Sequence, residues 1–388
     1  MKFSTQVQAK SIIRDVSTPL PVLMQRKVVP DIEPYLYELP EELIAKYPSD
    51  PPDHCRMLLL DRKSGDVSQQ PFYALSETLQ EGDLLLINDT AVEARRVFMR
   101  RSSLHNKNST KIQGARIETV FLQKVEPENN KNPGSEYWKA LVKKRQRLND
   151  GELLTCEKNP DMEFIVHKKE DGRTILESKV PLTSDLFFKI GQMPIPPYLK
   201  REEENGDREN YQNPFGKYFG SAAAPTASLH FTDTLQKKLR AKGVQIAHVT
   251  LHVGYGTFAP LTKENFETKS LHPEYYVVDE KTADILRQKK YNRLIAVGTT
   301  TLRVLETVYQ KSEGRYDSFL EGETNIFLKP PYEIKSVDGL ITNFHLPGSS
   351  LLMLVSCMTK KEFIMNAYDY AIHNEFMFFS YGDTMLIV

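Results

Sequence analysis

Cysteine is scarce in this chain of 388 residues: Cys55, Cys156 and Cys357 lie roughly a hundred or more positions apart. The count is odd and no Cys-x-x-Cys occurs, which excludes a disulfide framework and a zinc ribbon and makes a reducing cytoplasm the expected compartment. Long apolar runs are missing as well. The longest nearly apolar stretch covers residues 351–358, far short of the ~20 residues that span a bilayer. Net charge is absent, with 51 Lys plus Arg against 51 Asp plus Glu. That balance excludes a globally basic nucleic-acid binder but leaves room for a local basic patch. No repeat of 20–50 residues is found. Lys2, Lys10 and Arg14 stand in an acid-free start without an apolar core, so a secretory leader is rejected. Residues 1–32 read as a flexible or strand-like extension.

What is present describes a globular chain: 40% hydrophobic and 26% charged residues, with length for two or three domains. A short helix with Pro40 at its start is expected over 39–44. Strands are expected over 57–61 and 84–87, the second a continuous apolar run of the kind buried on both faces. The composition then shifts. Between Ala94 and Ile117 stand Arg95, Arg96, Arg100, Arg101, Lys107, Lys111 and Arg116 with no acid. Residues 137–148 add Lys139, Lys143, Lys144, Arg145 and Arg147, again without an acid. Strands are expected over 117–124, 137–142, 163–167 and 174–178, with turns at Asn149-Asp150-Gly151 and Asp171-Gly172. After the stiff stretch 193–198, strands at 244–253, 293–297 and 340–343 alternate with helices beginning at Asp233, Thr282, Leu302, Leu351 and Lys361. The expected fold is α/β: a main domain (33–93 plus 186–388) with a largely parallel sheet, and an inserted small basic β-barrel (94–185).

Chemistry is sought where strands of such a sheet end. Strand alternation puts His248, Thr250 and His252 on one face, running into Gly254 and Gly256. Val249 and the β-branched run argue against a zinc helix, and Pro260 against a dinucleotide fingerprint. His248 reads as a core histidine, whereas His252 reads as a ligand or catalytic group. Gly298-Thr299-Thr300, between a strand and a helix, reads as an anion site or a plain cap. Arg303, one turn on, would add charge or form a surface pair. His230 and His345 hold similar positions, each just before a helix. Gly-x-Ser-x-Gly and the P-loop pattern are both missing, which removes the serine-hydrolase and nucleotide-triphosphatase readings.

Several strings occur together in a specific order: Tyr37-Glu38-Leu39-Pro40-Glu41-Glu42-Leu43-Ile44-Ala45; Gly82-Asp83-Leu84-Leu85 with Asn88-Asp89-Thr90; Ala223-Ala224-Pro225-Thr226-Ala227 with Leu229-His230-Phe231; Val249-Thr250-Leu251-His252-Val253-Gly254 with Gly256-Thr257-Phe258; Ala296-Val297-Gly298-Thr299-Thr300; Thr342-Asn343-Phe344-His345-Leu346-Pro347; and Phe378-Phe379-Ser380-Tyr381-Gly382-Asp383. Over residues 33–388 the set resembles the S-adenosylmethionine:tRNA ribosyltransferase-isomerase family of queuosine biosynthesis. The resemblance implies an α/β domain with an inserted barrel, and a transfer of the ribosyl part of S-adenosylmethionine to 7-aminomethyl-7-deazaguanine in tRNA. It implies S-adenosylmethionine as substrate, tRNA as partner and no metal. A cytoplasmic monomer is expected.

Residues at the matching positions are then assigned by chemistry. His252 or His230 is expected as base, with His345 as its partner or as an adenine ligand. Pro225, Thr226, Gly254, Gly256, Gly298, Thr299, Thr300, Phe344 and Tyr381 are expected around the donor. Arg95, Arg96, Arg100, Arg101, Lys143, Lys144, Arg145 and Arg147 are expected against RNA. Three departures from the family pattern stand at Ala91, in place of a basic residue, Ala222, in place of valine, and Ser228, in place of glycine. A paralogue with another acceptor and a non-catalytic RNA-binding protein are the alternatives.

Overall fold

A computed structural model describes residues 30–101, 114–126, 132, 134–143, 147–168, 174–254 and 261–388. The sequence expectations for Lys107, Lys111, Lys144, Arg145, Gly256 and most of the N-terminal extension lie outside these residues.

The chain begins the main sheet with β1 (Arg56–Leu60), β2 (Val67–Pro71) and β3 (Leu84–Asn88), then adds the short β4 (Thr90–Val92). Six strands follow: β5 (Arg96–Arg101), β6 (Arg116–Val125), β7 (Glu136–Val142), β8 (Leu153–Cys156), β9 (Glu163–Lys168) and β10 (Thr174–Ser178). They close into an antiparallel barrel in the order β10-β7-β6-β5-β8-β9. Its inside is filled by Phe121, Trp138, Phe164 and Phe187 with aliphatic neighbours. β5 was not foreseen as a strand because its arginines dominate the composition. Its period-two pattern is nonetheless clear, since Val97 and Met99 are buried between Arg96, Phe98 and Arg100.

The chain then returns through β11 (Tyr218–Ser221), β12 (Gln245–Leu251), β13 (Ser270–Val277), β14 (Leu294–Val297), β15 (Glu321–Ile326), β16 (Gly339–Asn343) and β17 (Thr384–Ile387). The nine-stranded order is β15-β13-β12-β3-β14-β16-β17-β1-β2, while β11 pairs with β4. The sheet is mixed. β12, β3, β14 and β16 run parallel through its middle, and antiparallel pairs lie at the edges and between β16 and β17.

The apolar run of β3 now has its reason. Leu84 and Leu86 enter the core on one face, and Leu85 and Ile87 enter the core on the other. Helix Asp233–Ala241 starts as expected, with Thr232 Oγ1 accepting from Leu235 N at 3.2 Å. Among the described residues no helix is long and apolar enough to cross a membrane.

Candidate active site

Because the four central strands are parallel, their carboxyl ends share one edge, where ligands of such sheets bind. Asn88 ends β3 and joins its neighbours. Its Nδ2 donates to Leu251 O at 3.0 Å and to Thr300 Oγ1 at 3.2 Å, and its Oδ1 accepts from Leu251 N at 3.0 Å. Gly298 follows β14 at φ +86°, a conformation suited to glycine, and caps helix Thr299–Lys311.

A cavity of about 770 Å³, mouth included, opens at this edge. Pro225, Thr226, Gly298, Thr299, Thr300, Phe344 and His345 of the expected set line it. Tyr198, Asn343, Phe379 and Ser380 also line it and had been given no role. The position of Asn343, at the end of β16, was a signal available in the sequence. Tyr198 enters from the proline-rich stretch after the barrel, and nothing local marked it.

His230 does not line the cavity; it stands behind the wall. Its Nε2 is 3.1 Å from Asn343 Nδ2, and its Nδ1 is 3.4 Å from Pro52 O and 3.3 Å from Cys55 Sγ. A carbonyl only accepts, so Nδ1 carries the proton and Nε2 accepts from Asn343. Asn343 Oδ1 is thereby turned to accept from Thr226 Oγ1 at 2.9 Å. Burial lowers the His230 pKa to about 4 and raises the Cys55 thiol well above its usual value, so both are neutral at pH 7. His230 thus fixes the orientation of Asn343 from behind the lining.

His345 lies on the wall, with Nε2 2.9 Å from Thr342 Oγ1 and its backbone N–H donating to Tyr368 Oη at 3.0 Å. Burial holds its pKa far down, at about 3. Phe344 packs edge-on to Tyr368, with ring centres 5.2 Å apart. Tyr381 is buried against Tyr211 and is absent from the lining.

His252 and Gly254 are also outside the lining, although Val253 between them is part of it. β12 ends at Leu251, so alternation stops before His252. Its Nδ1 is 2.8 Å from Thr90 Oγ1, and its ring stacks on Tyr275. Burial lowers its pKa, helped by the nearby Arg95 cation. His248 faces Phe215, with ring centres 5.8 Å apart.

Arg303 is not a surface residue. It is buried and ion-paired with Glu274, whose other oxygen accepts from Gly254 N at 2.8 Å. The two departures near the site are absorbed structurally. Ser228 Oγ lies 2.6 Å from Pro225 O and 2.8 Å from Asn213 Oδ1, away from the cavity, and Ala91 is buried against Gly216.

Five of the barrel's described basic residues meet acids on or beside the adjoining strands. Arg96 and Lys143 share Glu118, Arg100 and Arg116 share Glu157, and Arg101 pairs with Glu152. Arg95 is buried on Glu93, so its expected phosphate contact is corrected. Arg147 is exposed.

A sequence profile for the family described as queuosine biosynthesis protein matches residues 32–387. The chain belongs to that family. A relative in Staphylococcus saprophyticus, named S-adenosylmethionine:tRNA ribosyltransferase-isomerase, is 40% identical over 92% of this chain and 100% of its own. One of the same name in Sulfurihydrogenibium is 40% identical over 91% of this chain and 98% of its own. A solved S-adenosylmethionine tRNA ribosyltransferase from Thermotoga maritima is 34% identical over 92% of this chain and 100% of its own, with a TM-score of 0.49. This member of the queuosine family is thus an enzyme of the transferase–isomerase class, and parts of its Ala223–Ala227, Gly298–Thr300, Thr342–Leu346 and Phe379–Ser380 strings line the cavity.

Proposed function

We propose that the protein transfers and isomerises the ribosyl moiety of S-adenosylmethionine onto the amine of 7-aminomethyl-7-deazaguanine at the tRNA wobble position. The product is epoxyqueuosine-tRNA, and adenine and methionine leave. It acts as a cytoplasmic monomer and uses no metal. One observation carries the reading: loops from β14 and β16, with the Ala223–Ala227 segment, wall a single cavity at the carboxyl edge of the sheet.

The amides of Thr299 and Thr300 at the helix start, with the Thr299 hydroxyl beside them, suit the methionine carboxylate, while the Gly298 amide is held by Ile341 O. Ala227 packs about 3.7 Å from the point where a Gly298 Cβ would stand, so Thr226 adjoins that site. Thr226 donates to Asn343 and therefore offers lone pairs to the methionine ammonium. Tyr198, Phe344 and Phe379 give an aromatic wall for adenine and the sulfonium. Neutral His345 suits a hydrogen bond to the departing adenine. A sulfonium acidifies its neighbouring C5′–H, so the protein's remaining task is to hold an acceptor for that proton and exclude water.

The test is incubation with precursor tRNA and S-adenosylmethionine, reading free adenine and the nucleoside mass. Adenine release that requires the precursor tRNA, together with the expected mass gain, supports the reading. RNA binding without adenine release favours the non-catalytic alternative. Release with a different modified product points to another acceptor.

A further inference from the structure

Tyr211 belongs to the cavity wall, beside Tyr198, Ala224, Phe379 and Ser380. It follows the short helix Asp207–Asn210, which is pinned from outside. The Arg201 guanidinium forks onto the Asp207 carboxylate with both bonds at 2.6 Å, and Tyr211 N donates to Asp207 O at 2.9 Å. The Tyr211 side chain is fully enclosed, and its ring packs edge-on to Tyr381 with centres 6.1 Å apart.

The Tyr211 phenol oxygen is buried and has no hydrogen-bond partner among the described residues. The Ala224 backbone and the Ser380 and Tyr198 hydroxyls lie around that oxygen, but none meets it in hydrogen-bond geometry. Those three neighbours all line the cavity, so the hydroxyl end of the ring is the end at the wall. The Tyr198 and Ser380 hydroxyls are bonded to each other. A phenol shut away from water without an acceptor is costly and uncommon. Burial, helped by the nearby Tyr198 phenol, pushes its pKa well above the usual value, so the proton stays on and the group is a donor at neutral pH. The wall around it is aromatic. Phe379 holds φ +71°, a backbone conformation that bulky side chains rarely adopt, and its ring meets Tyr198 with centres 4.7 Å apart. Thr226, Asn343, Thr299 and Thr300 make other parts of the lining polar. Of the parts of S-adenosylmethionine, only adenine is both flat and rich in ring-nitrogen acceptors.

We propose that the Tyr211 hydroxyl donates a hydrogen bond to a ring nitrogen of the adenine of S-adenosylmethionine, the base lying against Tyr198 and Phe379. The inference rests on the function proposed above and adds a residue that recognises the leaving base. The bond strengthens as adenine departs with negative charge on its ring, so it favours turnover as well as binding. The acceptor missing in the free protein arrives with the substrate.

The test uses the full chain with unmodified tRNA, which lacks the acceptor amine, and reads binding of labelled S-adenosylmethionine by equilibrium dialysis. Tyr211→Phe should weaken binding about tenfold, the size of one buried hydrogen bond, while the melting temperature of the free protein stays level or rises. With precursor tRNA, kcat/KM for adenine release should fall by at least that factor. Three analogues, each with N1, N3 or N7 of adenine replaced by C–H, identify the acceptor. One of them should bind wild type about tenfold more weakly and lose nothing further in Tyr211→Phe. Binding or kcat/KM within twofold of wild type overturns the proposal, as do losses that add for all three analogues. A melting temperature that drops in Tyr211→Phe also overturns it, since the phenol then has a partner within the protein. Those outcomes leave adenine release by wild type, and with it the transfer reading, intact. Wild type that shows the coupling to one analogue but releases no adenine overturns the transfer reading alone. Wild type that binds no S-adenosylmethionine overturns both.

Discussion

The barrel and the carboxyl edge of the main sheet differ in what their charges and loops are for. In the barrel, runs rich in arginine and free of acid look like a phosphate-binding face. Folding places Glu118, Glu152 and Glu157 beside five of the described bases, Arg96, Arg100, Arg101, Arg116 and Lys143. At the sheet edge the loops look bland, made of glycine, alanine, threonine and histidine. Folding brings them to one cavity with directed hydrogen bonds. Charge along one strand is therefore a poor guide to a surface, because the neighbour across the ladder comes from elsewhere in the chain. Loop position after parallel strands is a better guide, because all such ends share one edge.

The contrast is sharpened first by the buried Arg303–Glu274 pair beside the edge. Glu274→Ala would leave a buried guanidinium without its carboxylate, and about 3–5 kcal/mol of stability should be lost in denaturant titration. The buried histidine wall comes next. Unfolded His230 takes up a proton below pH 6.5, whereas the folded residue does so only below about 4. Its folded pKa is depressed, so stability is full above 6.5 and falls as the pH drops through that window. The loss should reach roughly 3 kcal/mol near pH 4, read from unfolding midpoints across pH, with His230→Gln flattening that slope. Gly298→Ala forces a side chain into a positive φ and should cost about 1–3 kcal/mol, with a raised KM for S-adenosylmethionine in steady-state assays. The barrel pairs should matter least. Arg100→Gln or Arg101→Gln should change stability by less than about 1 kcal/mol each. A loss of several kcal/mol from either barrel change would break the comparison.

Much of the fold was legible in the sequence. The two-faced apolar run at Leu84–Asn88, the Thr232 cap and the helix after Gly298 are local patterns, and the structure has them. Part of the cavity wall was legible too, since Pro225, Thr226, Gly298, Thr299, Thr300, Phe344 and His345 stand in recognisable strings. Other contributions were hidden. Tyr198 reaches the cavity from a linker, and Asn343 gains its role only through His230 and Thr226, each more than a hundred positions away.

The sequence by itself determined the strand and helix periods, the two-faced core and the family, because these rest on local alternation and on ordered strings. Only the tertiary structure decided which histidine faces the cavity, which stands behind it and which lies outside it, and which arginines are already paired. Those outcomes depend on hydrogen-bond and ion-pair partners brought together by strand order, and strand order is a property of the whole chain.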